Sequence, residues 1–146
     1  MVTTKTGDKG RTSLYDGTRI SKSDDLIHFL GTMDTLTSFL GLTKAKAQKL
    51  ERLTSLEIPT FIEDIQRKII RLNGMAASPN KKKPNHPIEE TDILELEIFE
   101  NKLMNLINLK PEFIIQGKSE LSATFDIVRT FCREAERRIV GLIRNQ

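Results

Sequence analysis

The stretch LSATFDIVRTFCREAERRIVGL, residues 121–142, decides what kind of protein this is. Apolar side chains fall at Leu121, Phe125, Val128, Cys132, Ala135, Ile139 and Leu142, in alternating steps of four and three. That rhythm returns each side chain to one side of an α-helix and predicts a seam suited to packing in a bundle at a shallow crossing angle. Ser119, with Glu120 and Ser122 behind it, reads as the start of this helix.

Working outward, three more segments carry the helical period. The first follows Ser23, Asp24 or Asp25 as N-cap and places apolar residues at Leu26, Ile27, Leu30, Met33, Leu36, Phe39 and Leu40. It is expected to continue through the lysine-rich TKAKAQKLERL. The second begins near Pro59, a residue that suits a first helical turn, and runs through Phe61, Ile62, Ile65, Ile69, Leu72 and Ala76 to Ser78-Pro79. The third spans 88–108, with apolar positions at Leu96, Phe99, Leu103 and Leu106 and glutamates gathered near its start. Lys110-Pro111 closes it. Only EFIIQG, residues 112–117, reads as a strand, and one strand makes no sheet. The expected fold is therefore all-α, an up-and-down bundle of four long helices forming a single domain over 1–146.

Composition agrees with this class and excludes several others. With 38% hydrophobic and 29% charged residues the 146-residue chain is globular, and with no tryptophan its core must be mainly aliphatic. The single cysteine, Cys132, excludes an internal disulfide framework; no transmembrane-length apolar run and no signal peptide are evident, so a cytoplasmic, membrane-free setting is expected. A net charge of +3 does not call for nucleic acid, and Lys81-Lys82-Lys83 lies in a proline- and asparagine-rich loop without interleaved aromatics.

Chemistry concentrates in a few places. TTKTGDKGRTSLYDG, residues 3–17, makes a poor helix and a poor strand. Its Gly7 and Gly10 let backbone amides converge on an anion, among Lys5, Lys9, Arg11 and the hydroxyls of Thr4, Thr6, Thr12 and Ser13. It reads either as a polyphosphate grip or as a polar terminus. Gly117-Lys118-Ser119 resembles the end of a P-loop, but Glu112 stands where the first glycine is required. Arg129, Arg133, Glu136 and Arg137 form one polar stripe beside the apolar seam, fit either to hold phosphate and ribose or to stand as a solvated, salt-bridged face. Asp34, between Met33 and Leu36, is expected to be partly buried and to pair with an arginine. With His28 and His86 the only histidines, neither a zinc site nor a nucleophilic triad can be assembled.

Together the segments resemble the PduO-type ATP:cob(I)alamin adenosyltransferases. The family's T-x-T-G-D-x-G-x-T-x-L appears as TKTGDKGRTSL, G-x-R-x-x-K as Gly17, Arg19 and Lys22, and G-T-x-D-E-L-x-S-x-x-G as GTMDTLTSFLG. Its second block, P-G-G-S before A-R-T-x-C-R-R-A-E-R, appears as QGKS and IVRTFCREAERR. The resemblance implies a homotrimeric helical bundle with ATP held between subunits. Residues 1–22 form its irregular ATP-binding segment. It assigns Thr4, Lys5, Thr6, Gly7, Thr12, Ser13 and Lys22 to the triphosphate and its Mg²⁺, with no direct side-chain ligand to the metal. Arg133, Glu134, Ala135, Glu136 and Arg137 form the second ATP-contacting block, and Asp34 and Arg129 a subunit-joining pair. Phe113 is implied at cobalamin's lower face, acting with Arg133 and Lys22 in catalysis, with a flavin-type reductase as a partner. Departures are Gln116 and Lys118 in the glycine turn, Thr35, Asp126 and Glu134, and the family's further helix, bearing an N-R-L-S-D-like motif, is expected to be missing after Gln146. Two functions follow: adenosyl transfer to reduced cobalamin, or an ATP- or corrinoid-binding regulatory module of the same fold.

Overall fold

The structure is a computed structural model that describes residues 5–78, 86–107 and 110–144. Strands β1 (Arg11–Ser13) and β2 (Arg19–Ser21) precede five helices, α1 (Asp25–Ala47), α2 (Glu51–Ser55), α3 (Ile58–Ala76), α4 (Glu90–Met104) and α5 (Glu120–Arg144). The four long helices are those the periodicity predicts.

Local chemistry sets their ends. Asp24 is the N-cap of α1, its carboxylate accepting the Leu26 N–H at 2.9 Å. The lysine-rich run prolongs α1 only as far as Ala47, short of the expected continuation through TKAKAQKLERL. Lys49 and Leu50 donate to Lys46 and Ala47 in a closing turn, Leu50 is extended, and the short α2 restarts at Glu51. Glu57 takes a left-handed conformation (φ 62°) that reverses the chain into α3, and Pro59 occupies the first turn. Glu89 and Asp92 bond each other's backbone in a capping box at the start of α4. At α5 the Ser119 and Ser122 hydroxyls accept reciprocally from each other's N–H at 3.1 and 2.9 Å.

Cross-helix pairs fix the directions. Lys46 meets Glu120 at 2.7 Å, so α5 begins where α1 ends; Lys44–Glu63 (3.2 Å) and the Gln66 amide on the Thr37 carbonyl (3.0 Å) lay α3 antiparallel to α1. On the other side of α3, the Phe61 and Phe99 rings stack at 3.6 Å and Lys102 reaches Glu57 at 2.8 Å, which runs α4 antiparallel to α3. Arg71 forks onto both Asp92 oxygens at 2.8 and 2.9 Å and also donates to the His86 and Pro87 carbonyls. Lys68 adds an ion pair to Asp92 at 3.1 Å. The Glu89 N–H and the Arg71 guanidinium hold the Asp92 carboxyl far below the usual carboxylate range.

The core lies around α1, with Phe29, Met33, Leu36 and Leu40 packed against Ile58, Ile62 and Ile69 of α3 and Ala135 of α5. Phe29, absent from the sequence-derived set, is among the most deeply buried side chains. Of the expected α5 seam, Leu121, Val128, Ala135, Ile139 and Leu142 pack in or against the core, whereas Phe125 and Cys132 are exposed; Thr124 is buried instead and Phe131 stacks on Phe39 at 5.4 Å. Thr124 tolerates burial because its hydroxyl donates to the Leu121 carbonyl at 2.8 Å. An apolar groove of about 470 Å³ runs between α1, α3 and α5, lined by Met33, Leu36, Ile69, Val128, Cys132 and Ile139 among others. No described helix is long and apolar enough to cross a membrane.

Candidate functional site

The described part of the glycine-rich opening is mostly turns, as its composition leads one to expect, but Arg11–Ser13 forms a short strand that the sequence reading did not anticipate. Arg11 pairs with Ser21, Thr12 with Ile20 and Ser13 with Arg19 in an antiparallel hairpin. Its turn uses Asp16-Gly17: the Asp16 carboxylate accepts the Thr18 N–H at 2.9 Å, and Gly17 takes φ 89°, a conformation costly for residues with a side chain. Leu14 is buried at the turn end of the hairpin, and the Tyr15 N–H donates to the Ala77 carbonyl at the end of α3. The hairpin is thus pinned to the end of the bundle where α1 begins and α3 ends.

Residues 5–10 fold back over this hairpin in two turns, closed by Asp8 N–H to the Lys5 carbonyl and Gly10 N–H to the Gly7 carbonyl. The Lys22 N–H donates to the Gly10 carbonyl at 2.9 Å, and the Lys22 side chain lies across the loop. A Cβ added to Gly7 would stand 3.0 Å from Lys22 Nζ and 3.2 Å from its Cε. Glycine at position 7 therefore admits the ammonium to the backbone. Thr12 and Ser13 stand on the first strand of the hairpin, Lys5, Thr6 and Gly7 in the turns before it and Lys22 just after its second strand; Ser13 Oγ accepts from Arg19 at 3.2 Å. Thr4 lies outside the described residues, as do Lys81, Lys82 and Lys83.

The second group stands on α5. Arg133, Glu136 and Arg137 are exposed on its surface. Arg133 and Arg137 are one helical turn apart, about 6 Å along the axis. Glu134 is engaged internally, its Oε1 taking two bonds from Arg138 at 2.7 and 3.0 Å. Ala135 is buried in the core, so its methyl group spaces α5 from α1. Asp25, three positions after Lys22, shares a hollow of about 170 Å³ with Arg137, Arg138, Gly141 and Leu142. That hollow brings the end of the arginine stripe to the hairpin's end of the bundle.

The remaining expected residues are placed apart. Phe113 is wholly exposed, and Ile114 and Ile115 beside it are 69% and 83% exposed. Asp34 is exposed, correcting the expected partial burial, and within this chain Arg129 pairs with Asp126 at 3.8 Å rather than with Asp34. The Gly117 N–H also donates to Asp126, at 3.1 Å. Thr35 satisfies its hydroxyl on the Gly31 carbonyl.

The sequence profile of the cobalamin adenosyltransferases matches residues 2–146. The chain belongs to that family. A corrinoid adenosyltransferase from Citrobacter freundii is 32% identical over 143 residues, covering 97% of this chain and 78% of the relative. A corrinoid adenosyltransferase from Bacillus subtilis is 34% identical over 98% of this chain and 72% of its own length. Against the corrinoid adenosyltransferase PduO of Salmonella typhimurium, identity is 33%, and the chain spans 41% of that longer protein. A variant PduO-type ATP:corrinoid adenosyltransferase from Lactobacillus reuteri, complexed with cobalamin and ATP, superposes with a TM-score of 0.88 at 25% identity, over all of this chain and 77% of that one.

Arg19 enters the sequence reading only as a position of the G-x-R-x-x-K motif, with no role for its guanidinium, although that group contacts the Thr6 carbonyl and Ser13 Oγ. A signal for the second contact was present: Arg19 and Ser13 sit at opposed positions beside the Asp16-Gly17 turn. The Arg71–Asp92–Lys68 network between α3 and α4 was also missed, because nothing in the separate helical patterns links residues 21 positions apart.

Proposed function

We propose that the protein transfers the 5′-deoxyadenosyl group of ATP to a reduced corrinoid, cob(I)alamin, releasing triphosphate. The observation that carries this reading is the Lys22 ammonium laid over the Gly7 backbone, in a segment whose sequence resembles the family's N-terminal signature. Cobalt(I) supplies the electron pair that forms the Co–C5′ bond. The C5′–O bond breaks, and its electrons leave with the triphosphate. Charge therefore develops on the leaving group alone, and no general base is needed. Lys22, Lys5, the loop amides and the hydroxyls of Thr6 and Thr12 are the groups that would meet that charge, with Thr4 ahead of them in sequence.

Among the described residues no three His, Cys, Asp or Glu side chains gather to hold a metal ion by themselves. Magnesium in this reading arrives on the nucleotide's own phosphates, where it neutralises part of the leaving charge. Arg133, Glu136 and Arg137 face solvent on α5, an orientation suited to a nucleotide shared with a neighbouring subunit, and the exposed Asp34 and Arg129 suit an ion pair across such a boundary. The assembly in this account is a homotrimer. Phe113, bare on its own chain, would lie against the corrinoid's lower face and favour loss of the lower axial ligand, which eases reduction by a flavin-type reductase. A cytoplasmic setting completes the reading.

The test is to combine the protein, MgATP and chemically reduced cobalamin without oxygen and to follow the visible spectrum. Formation of adenosylcobalamin at a rate proportional to protein supports the reading. ATP binding without any product would instead identify the regulatory module.

A further inference from the structure

Arg19 carries no role in the reading above, yet it is the side chain that ties the phosphate loop to the hairpin. Its Nη2 donates to the Thr6 carbonyl at 3.1 Å and its Nη1 to Ser13 Oγ at 3.2 Å. A second guanidinium braces the first residue from behind, with Arg11 Nη2 donating to the Arg19 carbonyl at 2.9 Å. The loop held in this way needs holding. Lys5, adjacent to Thr6, sits in the left-handed region at φ 58°, where a residue with a side chain stays only if its surroundings fix it. The turn bonds within 5–10 are long, 3.4 Å for Asp8 to Lys5 and 3.2 Å for Gly10 to Gly7. Loop 5–10 is therefore weakly closed from within and is fastened from outside by Lys22 N–H at Gly10 and by Arg19 at Thr6.

We propose that Arg19 is a positioning residue: its guanidinium fork fixes the Thr6 carbonyl and so sets the distance between the Gly7 backbone and the Lys22 ammonium before a triphosphate binds. The planar fork spans a carbonyl and a hydroxyl at once, which a lysine ammonium on its flexible stem does not reproduce. This inference rests on the proposed nucleotide site. It concerns the order of the empty loop, which can be measured without turnover.

The experiment compares wild type, Arg19→Ala and Arg19→Lys as full chains. Amide hydrogen exchange over residues 5–10 is measured without nucleotide, and MgATP and tripolyphosphate affinities by calorimetry. Exchange in the loop is expected to rise in both variants, and both ligands to bind about tenfold more weakly, one charge-assisted contact's worth. Melting temperature and cobalamin affinity should stay at the wild-type level. Combining Arg19→Ala with Lys22→Ala should cost less than the two separate effects added, because both act on the same phosphate contact. Retained affinity in Arg19→Lys with loss in Arg19→Ala would show that charge alone matters and overturn the fork. Unchanged loop exchange in Arg19→Ala would overturn the positioning role, even if ATP binding weakened. A wild-type protein that binds neither ligand would refute the proposed function itself, and loop exchange would still decide whether Arg19 orders the segment.

Discussion

Gly7→Ala isolates the contact between Lys22 and the loop. Gly7 has an ordinary negative-φ backbone, so alanine is admissible there, and its effect comes from what the new methyl group meets. That methyl would lie 3.0 Å from Lys22 Nζ, whereas ordinary contact begins at 3.4 Å. The ammonium must retreat by about 0.4 Å or more, which lengthens a charge-assisted bond to a phosphate oxygen beyond its favourable range. Such a bond contributes about 1.5–3 kcal/mol, and forfeiting much of it weakens MgATP binding by roughly 5–30-fold. Stability should move the other way: replacing glycine by alanine at a compatible position restricts the unfolded chain and stabilises by about 0.4–1 kcal/mol. Calorimetric titration with MgATP and a thermal melt on the same sample measure both. A Gly7→Ala protein that binds MgATP as tightly as wild type would refute the placement of Lys22 at the phosphates. One that binds weakly only because its melting temperature has collapsed would refute it equally.

Further predictions concern the frame and the corrinoid face. Arg71→Ala removes the fork that joins α3 to α4 and leaves the Asp92 carboxylate without its guanidinium; denaturant titration should show a loss of about 2–3 kcal/mol. Bonds from Lys102, from Arg67 and Lys44, and from Lys46 lower the pKa values of Glu57, Glu63 and Glu120, and the Glu89 N–H and Arg71 lower that of Asp92. Stability from these groups is present above the ordinary carboxylate range and is lost as pH falls through the depressed folded values. Urea midpoints should therefore be level from pH 7 to about pH 5 and decline below about pH 4, with Asp92 the last to protonate. Phe113→Ala, at a wholly exposed position, should leave stability within about 0.5 kcal/mol of wild type while slowing adenosylation of cob(II)alamin under reductase by about tenfold or more.

Long-range periodicity made most of the fold legible. The seam of α5, the Asp24 cap, Pro59 in the first turn of α3 and the serine pair at Ser119 each announce themselves within a single helix. What escaped depends on partners that a local pattern does not name. Strands of three residues are too short to show alternation, so the hairpin at Arg11–Ser13 went unread, its one local signal being the Asp16-Gly17 pair. Phe29 sits between the apolar positions 26 and 30 and was passed over, although the inward face of α1 needs it. Thr124 replaces Phe125 in the packed seam because the helix back-bond of its hydroxyl makes a polar residue tolerable inside. For the candidate site, residue types and spacing pointed to Gly7 and the α5 stripe, and the family resemblance added Lys22. Arg19 stood in the motif without a role, because its contacts to one carbonyl and one hydroxyl exist only once the turn forms.

The most direct measurement is the phosphate product released alongside the corrinoid product, in an anaerobic reaction of MgATP with cob(I)alamin. Displacement at C5′ predicts intact triphosphate in one-to-one proportion with adenosylcobalamin. ADP with orthophosphate, and no Co–C bond, would contradict the account.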